Sequence, residues 1–225
     1  NMDIIISFMK IIYDKRNSNL KIIKEISNRE IKKLEQKIVK TNEDNIMIEK
    51  YKIVLNNIDI IRVRSFDVVT FLAYGAAQMA FVGSDILNEF NHTEVYSPLD
   101  LNVGNCKMVV AAEKDVIADE DPRSWSHVRV ATKYPNITRK HFEARGVHAE
   151  CIKLNGAMEL APSMGLCKRI VDLVETGSTL KANGLVVVEK ICEVSTRLAV
   201  NRSYMKTNLK IIQPWIEKVE EAINV

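Results

Sequence analysis

The chain has 225 residues, of which 47% are hydrophobic and 27% charged, as in globular proteins with one large or two small cores. A net charge of +3 is too small to indicate a nucleic-acid-binding surface, and no apolar run has the length of a membrane span. The four cysteines have no C-x-x-C spacing and the four histidines no metal-ligand spacing. These patterns favour a cytoplasmic protein with reduced cysteines and no structural metal.

Hydrophobic periodicity and turn residues predict strands that alternate with helices. The predicted strands are residues 4–6, 51–55, 58–63, a segment within 75–83, 106–112, 128–131, 149–153, a segment from Ile170, 185–191 and 195–201. The predicted helices are residues 18–40, 65–74, 84–90, 135–146, 158–164 and 214–225, with connecting segments at 91–105 and 115–126. This alternation predicts an α/β fold with largely parallel sheets.

Capping residues set several of the predicted helix ends. Ser65 can cap the helix that follows it, with Asp67 near the positive end of the helix dipole. Pro135 is suited to the first position of a helix, and Gly146 to its end. Pro214 is predicted to begin the last helix, whose apolar face includes Trp215, Val219 and Ile223.

The strongest functional signal lies between Ile170 and Leu185. An apolar strand that ends near Asp172 is followed by a Thr-Gly-Ser-Thr loop at residues 176–179. Backbone N–H groups, hydroxyls and a glycine at a helix start can bind a phosphate, and Asp172 can reach two ribose hydroxyls. An acid, a short spacer and Thr-Gly-x-Thr is how binders of 5-phosphoribosyl 1-diphosphate (PRPP) hold the sugar phosphate. Taken alone, the tetrapeptide is better interpreted as an ordinary turn rich in Thr and Ser. The longer string from Ile170 to Leu185 favours a phosphate site more strongly.

Several uncommon strings occur in the order that one enzyme family has them. From about Asp59 to its carboxyl terminus, the chain resembles the ATP phosphoribosyltransferases, which catalyse the first step of histidine biosynthesis. The matching strings are residues 61–68, 129–135, 154–162, 170–185 and 197–202.

This resemblance implies a fold and a reaction. The expected α/β fold has two lobes, like the type II periplasmic binding proteins, with a cleft between the lobes. Residues 1–92 and 195–225 would form one lobe and residues 93–194 the other. The expected enzyme joins N1 of ATP to C1 of PRPP and releases diphosphate, without a covalent enzyme intermediate. Mg²⁺, bridging diphosphate oxygens and with no direct protein ligand, is the expected cofactor.

The resemblance also implies roles for individual residues. Asp172 and Glu159 are the expected catalytic acids at the ribose. The expected PRPP-binding residues are Asp172, Glu175, Thr176, Gly177, Ser178 and Thr179, and the expected ATP-binding residues are Arg64, Asp67, Lys133 and Tyr134.

Plainer roles compete with some of these assignments. Glu159 fits equally well as a carboxylate that interacts with the dipole at a helix start. Arg64 and Asp67 fit a surface salt bridge beside a helix cap, which would stabilise the fold little. The pair Lys133 and Tyr134 fits a simple beginning of a helix.

The chain departs from the family pattern at three places. The family has a phosphate-contacting Lys-Gly-Arg turn near its amino terminus, where this chain has residues 7–12 without a glycine. At the positions of residues 78–80 the family usually has Asp-Leu-Gly, and at the position of Asn102 it usually has Gly. Either the amino-terminal lobe is divergent, or its part of the active site is impaired. The alternative function is therefore a catalytically weak nucleotide-binding relative or a two-lobed binding module.

Regulation is expected to come from a partner. Long family members carry a carboxy-terminal domain that binds histidine, and a chain that ends at Val225 leaves no residues for it. The chain therefore resembles the short form, which is expected to self-associate as a dimer and to work with a histidyl-tRNA-synthetase-like regulatory subunit. Residues 1–64 carry 14 Lys and Arg against 9 Asp and Glu. This basic segment could bind polyphosphate or an acidic partner, or form a solvated helix face.

Overall fold

The computed structural model describes residues 53–55, 58–60, 63–119 and 124–223. The predicted strand at 4–6 and helix at 18–40 lie outside these residues. The described strands are β1 (Ile53–Leu55), β2 (Ile58–Ile60), β3 (Met79–Gly83), β4 (Val95–Asp100), β5 (Cys106–Glu113), β6 (His127–Thr132), β7 (His148–Lys153), β8 (Arg169–Val174), β9 (Leu185–Val194) and β10 (Thr196–Asn201). The described helices are α1 (Ser65–Ala73), α2 (Ser84–Phe90), α3 (Lys114–Asp119), α4 (Pro135–Glu143), α5 (Ser178–Ala182), α6 (Arg202–Thr207) and α7 (Leu209–Ile223), with a 3-10 turn at Met158–Leu160.

The chain divides into two compact units. The larger unit is residues 68–209, and the smaller contains the described residues up to Asp67 and from Lys210 onward. In the smaller unit, β1 and β2 pair antiparallel, with Val54 opposite Asp59. The predicted lobe division into residues 1–92 with 195–225 and residues 93–194 stays a prediction.

A three-stranded antiparallel sheet has the order β3-β10-β4 in the larger unit. The prediction that residues 91–105 only connect other elements is wrong, because β4 lies there. The register shifts so that Ser97 and Pro98 together lie opposite Ala199. A proline is tolerated in a strand at a sheet edge or a bulge, and β4 is an edge strand in this sheet. This is why a proline-containing segment forms a strand here.

A five-stranded sheet has the order β7-β6-β8-β5-β9. Strand β6 runs parallel to β7 and β8, whereas β5 runs antiparallel to β8 and β9. The α/β fold is confirmed, but the prediction of largely parallel sheets is wrong. Strands β5 and β9 pair antiparallel because β5 brings the chain into this sheet and β9 returns it toward β10.

Two chain crossings connect the sheets and are hydrogen-bonded to each other. Leu101 N–H donates to the Thr196 carbonyl over 3.0 Å, and Thr196 N–H donates to the Val103 carbonyl over 2.9 Å. The Ser195 hydroxyl donates to Asp100 Oδ1 over 2.8 Å. The crossings therefore form a short paired ribbon rather than two independent loops.

Helix α7 begins before Pro214. It starts at Leu209, so the prediction that Pro214 begins the last helix is wrong. Proline cannot donate to the carbonyl of Lys210, but one missing bond does not stop a helix with a strongly apolar face. The buried residues of that face are Ile212, Ile216 and Val219. Helices α3 and α6 were also not predicted.

None of the described helices is long and apolar enough to cross a membrane.

Candidate active site

Asp172 lies in the middle of β8, opposite Val109 of β5, rather than at the strand's end as predicted. Side chains alternate along a strand, so Asp172 shares a face with Ile170 and Val174. Ile170 is buried in a core cluster, and Val174 packs against that cluster. The carboxylate is therefore held beside an apolar core, where Leu173 N–H donates to Asp172 Oδ1 over 2.8 Å.

The same core anchors two other parts of the predicted site. Met158 and Ala161 enter the cluster from the 3-10 turn, and Leu180 enters it from α5. Glu159 lies between the first two residues, and the predicted phosphate loop directly precedes α5. Packing on one core therefore brings the Glu159 turn and the loop to the face of the sheet that carries Asp172.

The charges of two predicted site residues, Glu159 and Lys133, act on Asp172. Burial raises the pKa of Asp172, the Leu173 N–H lowers it, the negative charge of Glu159 raises it, and the positive charge of Lys133 lowers it. The net effect is an elevated pKa for Asp172. A second carboxylate close enough to act on Asp172 favours the pocket role of Glu159 over a dipole role, since a three-residue turn has little dipole.

The predicted phosphate loop begins with exposed Glu175 and includes the N-terminus of α5. Gly177 is the N-cap residue and has φ +78°, a left-handed conformation that glycine adopts without strain. No side chain caps this helix. Thr176, Ser178 and Thr179 are exposed, and the Thr176 and Ser178 hydroxyls lie 3.1 Å apart. Hydroxyls together with the first N–H groups of a helix form a suitable phosphate site.

Tyr134 has a structural role at the start of α4. Only 3% of it is exposed, its hydroxyl donates to Asp85 Oδ2 over 2.8 Å, and its N–H donates to Thr132 Oγ1 over 2.9 Å. Burial raises the pKa of Tyr134, and the negative charges of Asp85 and Asp172 raise it further. Tyr134 therefore remains a neutral hydrogen-bond donor at the edge of the site, and its contact with ATP stays a prediction.

Two acids of α2 were missed by sequence reasoning. Asp85 and Glu89 are one helical turn apart, follow Gly83 and are buried. Asp85 receives the Tyr134 hydrogen bond, and Glu89 binds the first turn of α4. A Cβ atom at Gly83 would overlap Asp85 Oδ1, so the glycine leaves room for this carboxylate. The signal in the sequence was the pair of acids four residues apart on a helix after a glycine.

Arg64 and Asp67 belong to the smaller unit. Asp67 N–H donates to the Arg64 carbonyl over 2.9 Å at the start of α1, and Arg64 is exposed. The structure shows no ion pair between these two side chains, which weakens the salt-bridge interpretation. Their contact with ATP stays a prediction.

The departure from the family at Asn102 has a simple structural explanation. Asn102 has φ +49°, and asparagine is one of the few residues besides glycine that tolerates this conformation. Ala80 lies within regular pairing, opposite Ala199. Residues 7–12 lie outside the described part of the chain.

Within residues 63–119 and 124–223, no cluster of His, Cys, Asp and Glu is placed to hold a metal ion. The prediction of a metal without direct protein ligands stays a prediction.

Comparisons of sequence and structure relate the chain to known proteins. The family model of HisG, ATP phosphoribosyltransferase, matches residues 64–221. The ATP phosphoribosyltransferase of Rhodospirillum rubrum is 61% identical over 165 residues, 73% of each chain. That of Rhizorhabdus wittichii is 61% identical over 168 residues, 75% of this chain and 76% of the relative. A solved ATP phosphoribosyl transferase (HisG:HisZ) complex from Thermotoga maritima covers 86% of this chain and 93% of its own, with 32% identity and a TM-score of 0.68.

Proposed function

The chain belongs to the ATP phosphoribosyltransferase family, and from this premise we propose how its residues carry the family reaction. It is a pentosyltransferase that joins N1 of ATP to C1 of PRPP with release of diphosphate, the first step of histidine biosynthesis. The observation that supports the residue roles best is the packing of the Glu159 turn and α5 on the core beside Asp172, where the charges of Glu159 and Lys133 act on Asp172.

Asp172 accepts hydrogen bonds from the ribose hydroxyls of PRPP. Positive charge builds on the ribose ring as diphosphate leaves, and a fixed carboxylate nearby stabilises that charge. Glu159 adds a second negative charge at the same pocket. The pKa of Asp172 is elevated chiefly by burial and to a smaller extent by the charge of Glu159, so a cationic transition state beside Asp172 stabilises its ionised form.

The loop of residues 175–179 holds the 5′-phosphate. The N–H groups at the start of α5 lie at the positive end of this short helix. Thr176, Ser178 and Thr179 are exposed beside them. Lys133 supplies positive charge toward the diphosphate. The proposed contacts of ATP are Arg64, Asp67, Lys133 and Tyr134.

Mg²⁺ is the proposed cofactor. The carboxylates of Asp172 and Glu159 would supply a negative field that attracts a substrate-bound Mg²⁺ without ligating it directly. When bound with substrate, Mg²⁺ would neutralise the negative charge that develops on the leaving diphosphate. The protein contributes the surrounding negative field and the exclusion of water.

The proposed partners are ATP, PRPP, a second copy of the chain and a histidyl-tRNA-synthetase-like regulatory subunit. The solved relative is a complex of HisG with HisZ, which supports a separate regulatory subunit here. We also propose a cytoplasmic location, in keeping with four cysteines that are all free thiols.

One assay tests this proposal. The purified chain is incubated with ATP, PRPP and Mg²⁺, with and without the regulatory subunit, and phosphoribosyl-ATP is quantified by chromatography. We expect product that depends on both substrates. PRPP binding in a calorimeter without product under either condition would instead establish the alternative, a catalytically weak relative that only binds nucleotides.

A further inference from the structure

Helix α4 receives its N-terminal cap from another helix. The side chain of its N-cap residue, Tyr134, makes no capping hydrogen bond, and its first residue, Pro135, has no N–H. The next two N–H groups are bound by Glu89 of α2. Asn136 N–H donates to Oε1 and Oε2 over 3.0 and 3.1 Å, and Ile137 N–H donates to Oε2 over 3.0 Å. The Asn136 side-chain amide also donates to the Glu89 carbonyl over 3.0 Å.

These bonds fix α2 and α4 relative to each other. Only 6% of Glu89 is exposed, and a buried carboxylate is stable only while its oxygens accept hydrogen bonds. The positive end of α4 strengthens each of them. Helix α2 is itself anchored, because Ser84 N–H donates to the Ser195 carbonyl over 2.9 Å. A carboxylate beside the three-stranded sheet thus holds the start of a helix that packs on the five-stranded sheet.

The first turn of α4, which Glu89 caps, lies next to the candidate active site. Lys133 directly precedes the N-cap residue of α4, and its charge acts on Asp172. The negative charge of Glu159 also acts on Asp172 and raises its pKa, whereas the charge of Asp172 raises the pKa of the neighbouring Tyr134. A shift of the first turn of α4 would therefore move Lys133 relative to the reacting ribose.

We propose that Glu89 is a positioning residue for the phosphoribosyl transfer: by capping α4 it holds Lys133 at its working distance from Asp172. This inference rests on the proposed function. Glu89 acts through α4 and does not contact substrate. A displacement of about 1 Å in an active site can cost about 100-fold in rate, so the cap has a functional consequence as well as a structural one.

Steady-state kinetics of matched variants tests the role. Glu89→Ala removes the cap, Glu89→Gln keeps an amide oxygen that accepts the N–H bonds, and Glu143→Ala removes an exposed acid at the other end of α4. We expect kcat to fall roughly 10-fold to 100-fold in Glu89→Ala, with little change in the KM for ATP. The glutamine variant should keep most of the activity and the Glu143 control all of it. Equal kcat values for Glu89→Ala and Glu143→Ala would overturn the proposal.

A spectroscopic readout tests the same role without turnover. The carboxyl carbon of Asp172 is titrated by NMR, and the amide exchange of Asn136 and Ile137 is followed in the same samples. In Glu89→Ala we expect a further rise in the pKa of Asp172, because Lys133 no longer lowers it, and faster exchange of both amides. Glu89→Asp, which is one methylene too short to cap, replaces the alanine variant if that one does not fold.

The two readouts separate the failure of this inference from failure of the proposed function. An unchanged Asp172 titration after loss of the cap would overturn the positioning role whatever the activity. If the wild-type chain makes no phosphoribosyl-ATP but Asp172 titrates as expected in the variants, the reaction is wrong and Glu89 still positions Lys133.

Discussion

Tyr134 donates a hydrogen bond of 2.8 Å to Asp85 Oδ2, and only 3% of Tyr134 and 5% of Asp85 are exposed. The two residues belong to different elements, since Asp85 lies in α2 and Tyr134 is the N-cap residue of α4. This bond and the Glu89 cap therefore join the same two helices. Because the pKa of Tyr134 is raised, the phenol keeps its proton at neutral pH and donates this bond.

Tyr134→Phe should destabilise the protein because it leaves a buried carboxylate without this donor. Loss of one partner of a buried polar pair costs about 1–3 kcal/mol, and more for a charged group. Denaturant unfolding followed by circular dichroism measures the change. Tyr96→Phe is the matched control, since Tyr96 is 44% exposed. Equal unfolding free energies for the two variants would contradict a structural role of the Tyr134 hydroxyl.

Asp172→Asn should lower turnover while leaving the fold intact. The variant keeps the size of the side chain and an oxygen for the Leu173 N–H, but removes the charge that stabilises the ribose cation. Loss of one such electrostatic contact typically costs about 100-fold or more in kcat. Asp115→Asn, at an exposed position of α3, controls for the chemical change. Unchanged kcat in Asp172→Asn would remove Asp172 from the mechanism.

The same substitution should stabilise the free protein at neutral pH. The folded-state pKa of Asp172 lies above the ordinary value of 3.8, so folding favours its protonated form. Its contribution to stability is full below that ordinary value and is lost as pH rises through the folded-state pKa. The unfolding free energy of Asp172→Asn should therefore exceed that of wild type by an amount that grows from about pH 3 to about pH 7. Asp115→Asn should show no such trend, and a difference of the opposite sign would contradict the raised pKa.

The parts of this site that the sequence predicted are local in the chain. The string from Ile170 to Leu185 specifies a strand with Asp172, a glycine at φ +78° and a short helix, because each feature depends on near neighbours. The Glu89 cap could not be predicted in this way. Glu89 and Asn136 are 47 residues apart, and only the packing of α2 against α4 brings them together.

Errors in the predicted elements came from tertiary context that overrides local preference. Pro98 indicated a loop, but a strand edge and a bulge accept a residue without an N–H. Pro214 indicated a helix start, yet α7 already begins at Leu209 because its apolar face stabilises the turns before the proline. At both prolines the loss of one N–H hydrogen bond costs little stability or is offset by packing.

Gly177→Val should weaken PRPP binding more than ATP binding. The reason differs from simple crowding, because a Cβ at Gly177 would meet only Val174 Cγ1 at 3.8 Å. The strain comes from φ +78°, which costs an L-residue roughly 1–2 kcal/mol and pulls the loop out of its phosphate-binding shape. Isothermal titration calorimetry with each substrate measures the two affinities.

Gly184→Val is the matched control for the loop. Gly184 follows the C-cap residue of α5, has φ +71° and has open space around its Cα, so the stability cost should be similar. Gly177→Asn should be milder than Gly177→Val, since asparagine tolerates the left-handed region. Equal losses of PRPP affinity in Gly177→Val and Gly184→Val would mean that the loop is not a specific phosphate site.

The regulatory subunit should change the activity of this chain. We expect the isolated chain to form dimers and to show little or no histidine-inhibited activity. Adding the histidyl-tRNA-synthetase-like subunit should raise kcat and confer inhibition by histidine, because a partner that binds the competent arrangement better shifts the population toward it. A typical coupling of 1–3 kcal/mol corresponds to roughly 5-fold to 150-fold in the affected equilibrium. Steady-state assays with increasing subunit concentration, beside a genuine histidyl-tRNA synthetase as control, measure this effect.

The rival model assigns the same role to the basic residues 1–64, in which 14 Lys and Arg oppose 9 Asp and Glu. Full activity with histidine feedback in the purified chain alone would rule out the partner and support that model.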